Sequence, residues 1–169
     1  FVDTGLHSNI GQRLLRIRKY IGQDEMFLAN YSDGLSNVPL DTMIAEFKRK
    51  PWLATFAAVR SLQSFHFVES SADGIVKSIG SLGNDNFAIN GGYFVFRREL
   101  FDYVNEGEEL VEQPFGRLIQ KQLLGAYQHR GFWQTMDTFK DKIGFDRMEA
   151  RGNCPWMIWK ENPEGAGDL

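Results

Sequence analysis

Cysteine is nearly missing from this chain: Cys154 is the only one in 169 residues. An internal disulfide is therefore excluded, and a reducing setting, the cytoplasm, is expected. Long hydrophobic runs are missing too. No apolar stretch reaches the ~20 residues that a membrane-spanning helix needs, and no signal-peptide pattern opens the chain. Positive charge is not in excess, since 19 Lys and Arg face 22 Asp and Glu for a net charge of −3. That removes the electrostatic case for general nucleic-acid or membrane binding. An initiating methionine is also missing. Phe1 stands in its place, so the chain is expected to follow a removed segment or to be a piece of a longer one. What is present, 43% apolar and 24% charged residues, is ordinary for a globular protein. The length suits one domain with a real core, or one domain with an appendage.

The centre of the pattern is Phe27-Leu28-Ala29-Asn30-Tyr31-Ser32-Asp33-Gly34. It reads as a short buried strand running directly into an acidic residue and a glycine. Before it, Leu14, Ile17 and Ile21 recur at helical spacing, with basic residues on a solvated face and Gly22 as the stop. After it, a helix opening at Asp41 as its cap leads to a second buried strand, Leu53 to Val59. Strand, helix and strand predict a right-handed parallel β-α-β unit.

Two short strands, Phe65 to Glu69 and Gly74 to Ile79, flank the turn signal Ser71-Ala72-Asp73-Gly74. His66 reads as half-buried there. A loop over residues 80–86 precedes Phe87 to Phe96, a strand interrupted by Asn90-Gly91-Gly92. Those glycines mark either a bulge or a backbone approached closely by a ligand. A short helix over 97–105 follows, then an exposed acidic turn with Glu106, Glu108 and Glu109. The next helix, 112–124, is interrupted near Pro114. Residues 125–129 form a strand in which His129 is an ordinary strand or surface histidine. Pro155-Trp156-Met157-Ile158-Trp159 is too aromatic to be solvated and should dock on the domain. Residues 161–169 should fray.

Two acidic positions carry the chemistry. Asp33-Gly34, taken alone, is a turn: Asp bonds its own backbone, and Gly accepts positive φ. Asp137-Thr138, taken alone, is a helix N-cap. A second reading joins them. Ligands in open α/β sheets bind beyond the carboxyl ends of strands. Two carboxylates converging there from separate strands could hold a divalent cation against a phosphate.

In order along the chain, Val2-Asp3-Thr4-Gly5, Gly11 and Arg13, Tyr31 with Asp33-Gly34, Ile89-Asn90-Gly91-Gly92, Phe132-Trp133-Gln134 with Met136-Asp137-Thr138, and Pro155-Trp156 with Trp159 resemble the sugar-phosphate nucleotidylyltransferases. The likeness is strongest to those that make CDP-glucose from CTP and glucose 1-phosphate. The resemblance implies a doubly wound, Rossmann-like α/β sheet with a small β-hairpin excursion. Residues 1–150 would be a partial nucleotidyltransferase domain and 151–169 a docking tail. It implies Mg2+ held by Asp33 and Asp137. Tyr31, Gly34, Asn90, Gly91, Gly92 and Trp133 would line a pocket for a sugar 1-phosphate or nucleotide-sugar.

The resemblance also has gaps. The family's N-terminal third, with its cation-bearing Gly-rich loop for the triphosphate, has no counterpart here. Gly80-Ser81-Leu82-Gly83 stands where the family carries Glu-Lys-Pro, and His66 stands where it carries a glycine. Little or no catalysis is expected from the lone chain. The alternatives are a non-catalytic sugar-phosphate-binding or assembly module, or the C-terminal half of a split enzyme. The missing strands would turn Phe27–Tyr31 into a sheet edge. A homo-oligomer, or a partner chain completing the sheet, is therefore expected.

Overall fold

The computed structural model describes residues 1–60, 66–81 and 88–160. Phe65, Phe87, the Leu82-Gly83 part of the Gly-Ser-Leu-Gly stretch and the tail 161–169 lie outside them. The elements run α1 (Ile10–Ile21), β1 (Met26–Asn30), β2 (Gly34–Ser36), α2 (Leu40–Lys48), β3 (Ala54–Val59), β4 (His66–Ser70), β5 (Val76–Ser81), β6 (Ile89–Arg97), a 3-10 helix (Arg98–Tyr103), α3 (Gln113–Gln120), β7 (Leu124–His129), β8 (Trp133–Thr135), α4 (Phe139–Ala150) and a closing 3-10 turn (Ile158–Lys160). The main sheet has the order β1-β6-β3-β7, and two ribbons, β2-β8 and β4-β5, stand apart from it.

By contacts the chain divides into two compact units. The first is Phe1–Asn30, Leu40–Phe56 and Gly92–Tyr127; the second is Tyr31–Pro39, Ala57–Gly91 and Gln128–Leu169. In the first unit, Asn9 caps α1 through a reciprocal box with Gln12, which satisfies two otherwise orphaned N–H groups. Within α1, position 11 is glycine because a β-carbon there would strike the Glu108 carbonyl. β1 pairs antiparallel with β6, from Met26↔Arg97 to Asn30↔Tyr93. Across that pairing Phe27 packs on Phe96 and Phe101, with ring centroids 5.3 and 5.6 Å apart. Phe94 continues the cluster to Phe115 at 6.3 Å, and Met43, Phe47, Leu100, Leu110 and Leu118 complete the buried core.

In the second unit, Ala57, Ala58 and Val59 are buried. The β4-β5 ribbon closes on the expected turn, where the Ser71 carbonyl accepts the Gly74 N–H at 2.9 Å. Trp156 packs on Phe132 at 5.6 Å and edge-on to Phe145 at 5.4 Å.

Several local expectations are corrected. β1 and β3 are not neighbours, because β6 inserts between them and runs antiparallel to β1. A strand drawn from about 60 residues downstream leaves no local signal. Asp41 lies inside the first turn of α2 instead of capping it; its charge there suits the helix dipole. Pro114 sits at the first positions of α3 and so starts that helix instead of breaking it, since its missing N–H costs nothing there. His66 is exposed. His129 is buried, 7% accessible.

Candidate functional site

The β2-β8 ribbon builds the site. Its register is Gly34↔Thr135, Leu35↔Gln134 and Ser36↔Trp133, and it is extended by one bond in which the Met136 N–H donates to the Asp33 carbonyl at 2.8 Å. The two sequence stretches singled out for their acids thus lie side by side. Both carboxylates reach one cleft of about 470 Å3, lined by Tyr31, Asp33, Gly34, Asn90, Gly91 and Trp133 together with Ile89, Gln134, Thr135, Asp137 and Asp141.

The floor is set by Trp133. Its indole Nε1 donates to the Gly91 carbonyl at 2.8 Å. A β-carbon on Gly91 would stand 2.8 Å from Val59 Cγ1, 3.0 Å from the Ala57 carbonyl and 3.2 Å from Trp133 Nε1. Gly91 is small because the protein's own atoms crowd it. Gly92, the next residue of β6, falls in the first unit, buried, with φ of +73°, a left-handed value that disfavours a β-carbon. Gly34 is buried at the start of β2, 3.8 Å from Trp133 Nε1 if given a β-carbon. Its φ is not positive and a β-carbon there would make only ordinary contacts, so neither turn geometry nor crowding demands glycine at this position.

Behind Trp133 the Phe132 carbonyl collects three donors. These are the Asn37 N–H at 3.1 Å, Ser36 Oγ at 2.7 Å and His129 Nε2 at 3.2 Å. They fix the residue preceding Trp133 to β2 and to the end of β7. Asn37 Oδ1 is buried nearby with no hydrogen-bond partner among the described residues.

The helix cap that Asp137-Thr138 suggested belongs to Thr138. Its side chain accepts from the Asp141 N–H at 3.2 Å, while Asp141 Oδ2 accepts from the Thr138 N–H at 2.9 Å and Oγ1 at 2.7 Å. These bonds, the Thr138 hydroxyl first, hold the Asp141 carboxyl below its usual range. The Asp137 carboxylate is left out of the cap and instead accepts from Thr135 Oγ1 at 2.7 Å.

Three carboxylates therefore line the cleft, and no Lys or Arg does among the described residues. No group of three or more His, Cys, Asp or Glu stands close enough to hold a metal unaided among the described residues. The donors still fit a hard cation such as Mg2+. It characteristically takes one or two carboxylates and completes its shell with water and substrate phosphate. Asp33 and Asp137 would be that pair, since Asp141 is engaged in capping.

Of these lining residues, Ile89, Gln134, Thr135 and Asp141 were not anticipated. Asp141 was readable in Thr138-x-x-Asp141, a variant capping box; Thr135 had no sequence signal. A larger hollow of about 710 Å3 lies in the first unit among Arg16, Arg18, Lys19, Arg98, Glu99 and Asp102. Several of its charges are engaged with each other and with neighbours, as in Arg18–Asp102 at 3.8 Å and Arg98 to Gln23 at 2.7 Å.

The fold is that of the Rossmann-like nucleotidyltransferases. A crystal structure of a Bacillus anthracis protein assigned as a glucose-1-phosphate thymidylyltransferase, in complex with a sucrose, matches with a TM-score of 0.58 and 13% identity. The match covers 90% of this chain and 63% of that one. HddC from Yersinia pseudotuberculosis matches with a TM-score of 0.55 and 15% identity, over 80% of this chain and 60% of its own. In sequence the chain resembles the sugar-phosphate nucleotidylyltransferases, and among them the glucose-1-phosphate cytidylyltransferases. It is 32% identical over 161 residues to a Bacillus subtilis (strain 168) protein assigned that activity, covering 94% of this chain and 63% of the relative. It is 32% identical over 160 residues to the glucose-1-phosphate cytidylyltransferase of Salmonella typhi, covering 94% and 62%. The chain thus spans less than two thirds of the length of these relatives. No protein-family profile matches it. No helix among the described residues is long and apolar enough to cross a membrane.

Proposed function

We propose that the chain carries the sugar-phosphate half of a cytidylyltransferase-type site. In this reading it binds a sugar 1-phosphate or a nucleotide-sugar through Mg2+ and does not turn over CTP and glucose 1-phosphate alone. Residues 1–150 are the partial domain, 151–169 a docking tail, and the setting is cytoplasmic. The observation that carries the reading is the Met136–Asp33 backbone bond at 2.8 Å. It brings Asp33 and Asp137 to one cleft with Tyr31, Asn90, Gly91 and Trp133.

Charge supports the metal. A phosphate entering a cleft with three carboxylates and, among the described residues, no lining cation is repelled. A divalent cation between carboxylates and phosphate removes that repulsion. In a nucleotidyl transfer it would also neutralise charge building on the phosphoryl oxygens. The chain's own residues would do the rest: Trp133, Asn90 and Gly91 shape and line the sugar side, and the ribbon fixes the spacing of the acids. Sequence supports the lack of independent turnover, because Gly80-Ser81-Leu82-Gly83 offers no cation where the family has lysine.

The test is calorimetric titration of the folded chain with glucose 1-phosphate and with CDP-glucose, with and without Mg2+. Saturable binding is expected only with Mg2+, and its loss in Asp137→Asn. Binding that is equally strong without the metal would remove the cation from the account. Absence of heat with both ligands would overturn the half-site reading.

A further inference from the structure

We infer that Thr135 is a positioning residue for the cation: its hydroxyl holds Asp137 in the orientation that coordinates. The inference rests on the half-site reading and goes past it, to how one exposed acid is aimed. Asp137 is solvent-exposed on the turn between β8 and α4. An exposed carboxylate samples several rotamers, and ordering it on a metal costs entropy. Thr135, half-buried at the end of β8, supplies the restraint. Its place opposite Gly34 is fixed by the ribbon register. A β-branched side chain is stiff at χ1, so few directions are open to its hydroxyl.

That hydroxyl donates to Asp137 Oδ2 at 2.7 Å, the length of a charge-assisted bond. It occupies one carboxylate oxygen and leaves Oδ1 to meet a cation. The neighbouring acid is managed differently. Asp141 Oδ2 takes both Thr138 donors and serves the helix. Two threonines thus divide two acids, one for the cap and one for the ligand.

The experiment is Mn2+ binding to the full chain, followed by electron paramagnetic resonance in the presence of CDP-glucose. The variants are Thr135→Val, Thr135→Ser and Thr135→Ala. Outer-shell partners of metal ligands typically set affinity by 10–100-fold, so Thr135→Val, which keeps the shape and loses the hydroxyl, should bind Mn2+ roughly tenfold more weakly or worse, with Thr135→Ser within about threefold of wild type. Thr135→Ala should match Thr135→Val, and serves if the valine variant does not fold. Wild-type affinity in Thr135→Val or Thr135→Ala overturns the inference, as does an equal loss in Thr135→Ser. A wild-type chain that takes up no Mn2+ with CDP-glucose overturns the half-site reading itself, and this inference with it.

Discussion

At Gly91 the fold and the cleft make their demands on the same atoms. Its carbonyl anchors the Trp133 indole, and its missing side chain leaves room for Val59 and the Ala57 carbonyl. In the sequence, Asn90-Gly91-Gly92 left a bulge and a ligand's approach equally open. Both glycines turn out to have structural reasons, crowding at Gly91 and a left-handed φ at Gly92, that no local pattern could separate. Gly91→Ala should therefore destabilise the chain by about 1–3 kcal/mol, the usual cost of overpacking. It should also weaken the Trp133 anchor. Urea denaturation and a shift in tryptophan emission check this, and an unchanged midpoint with unchanged emission would contradict it. The acids were legible as residue types. Their division of labour was not, because which of Asp137, Thr138 and Asp141 caps α4 depends on side-chain rotamers.

Among the elements, legibility followed length. The strands β1 and β3 and the helices α1 and α2 stood out through apolar spacing, although only β3 is buried, β1 being half-exposed. β2 and β8, which build the site, are three residues each, too short for any period. They are found only through their pairing across about 100 residues. The acidic segment before α3 shows the same limit. It read as an exposed turn, yet Glu108 pairs with Arg117, which also donates to the Tyr103 carbonyl at 3.1 Å through Nε. Glu108 accepts as well from the Asn105 N–H at 2.9 Å. The Arg117 hydrogen bonds first, then that backbone bond, hold the Glu108 carboxyl down at about 2, from the usual 4.5. A carboxyl with a depressed folded pKa adds stability fully above its unfolded pKa and loses it as pH falls through the folded one. The stability difference between wild type and Glu108→Gln should thus be constant near neutrality and shrink from about pH 4.5 towards about pH 2. Thermal melts across that range measure it. A gap that does not narrow there would remove the pair from the acid response.

For the whole molecule, the class of fold was legible through the order of motifs, while the strand order was not. β1 ends the main sheet among the described residues. Its sequence, Met26-Phe27-Leu28-Ala29-Asn30, carries no charge and no proline, and Leu28 is 51% accessible. Edges are normally blunted by such residues, and strands apolar on both faces are usually interior. The edge should therefore recruit another strand, from a second copy or from a partner that completes the sheet. Sedimentation velocity of the pure chain should show association that rises with concentration and is suppressed by Leu28→Lys. A monomer at every concentration would leave β1 an ordinary edge.

The central claim is that Asp33 and Asp137 hold a cation against a sugar phosphate in the β2-β8 cleft. Its most direct test is a crystal structure of the chain with CDP-glucose and Mn2+, with data collected at the manganese absorption edge. The account predicts an anomalous peak against the Asp33 and Asp137 carboxylates, with phosphate density beside it and the hexose towards Asn90, Gly91 and Trp133. A peak elsewhere, with the nucleotide-sugar bound in the basic hollow beside α1 or nowhere, would contradict it.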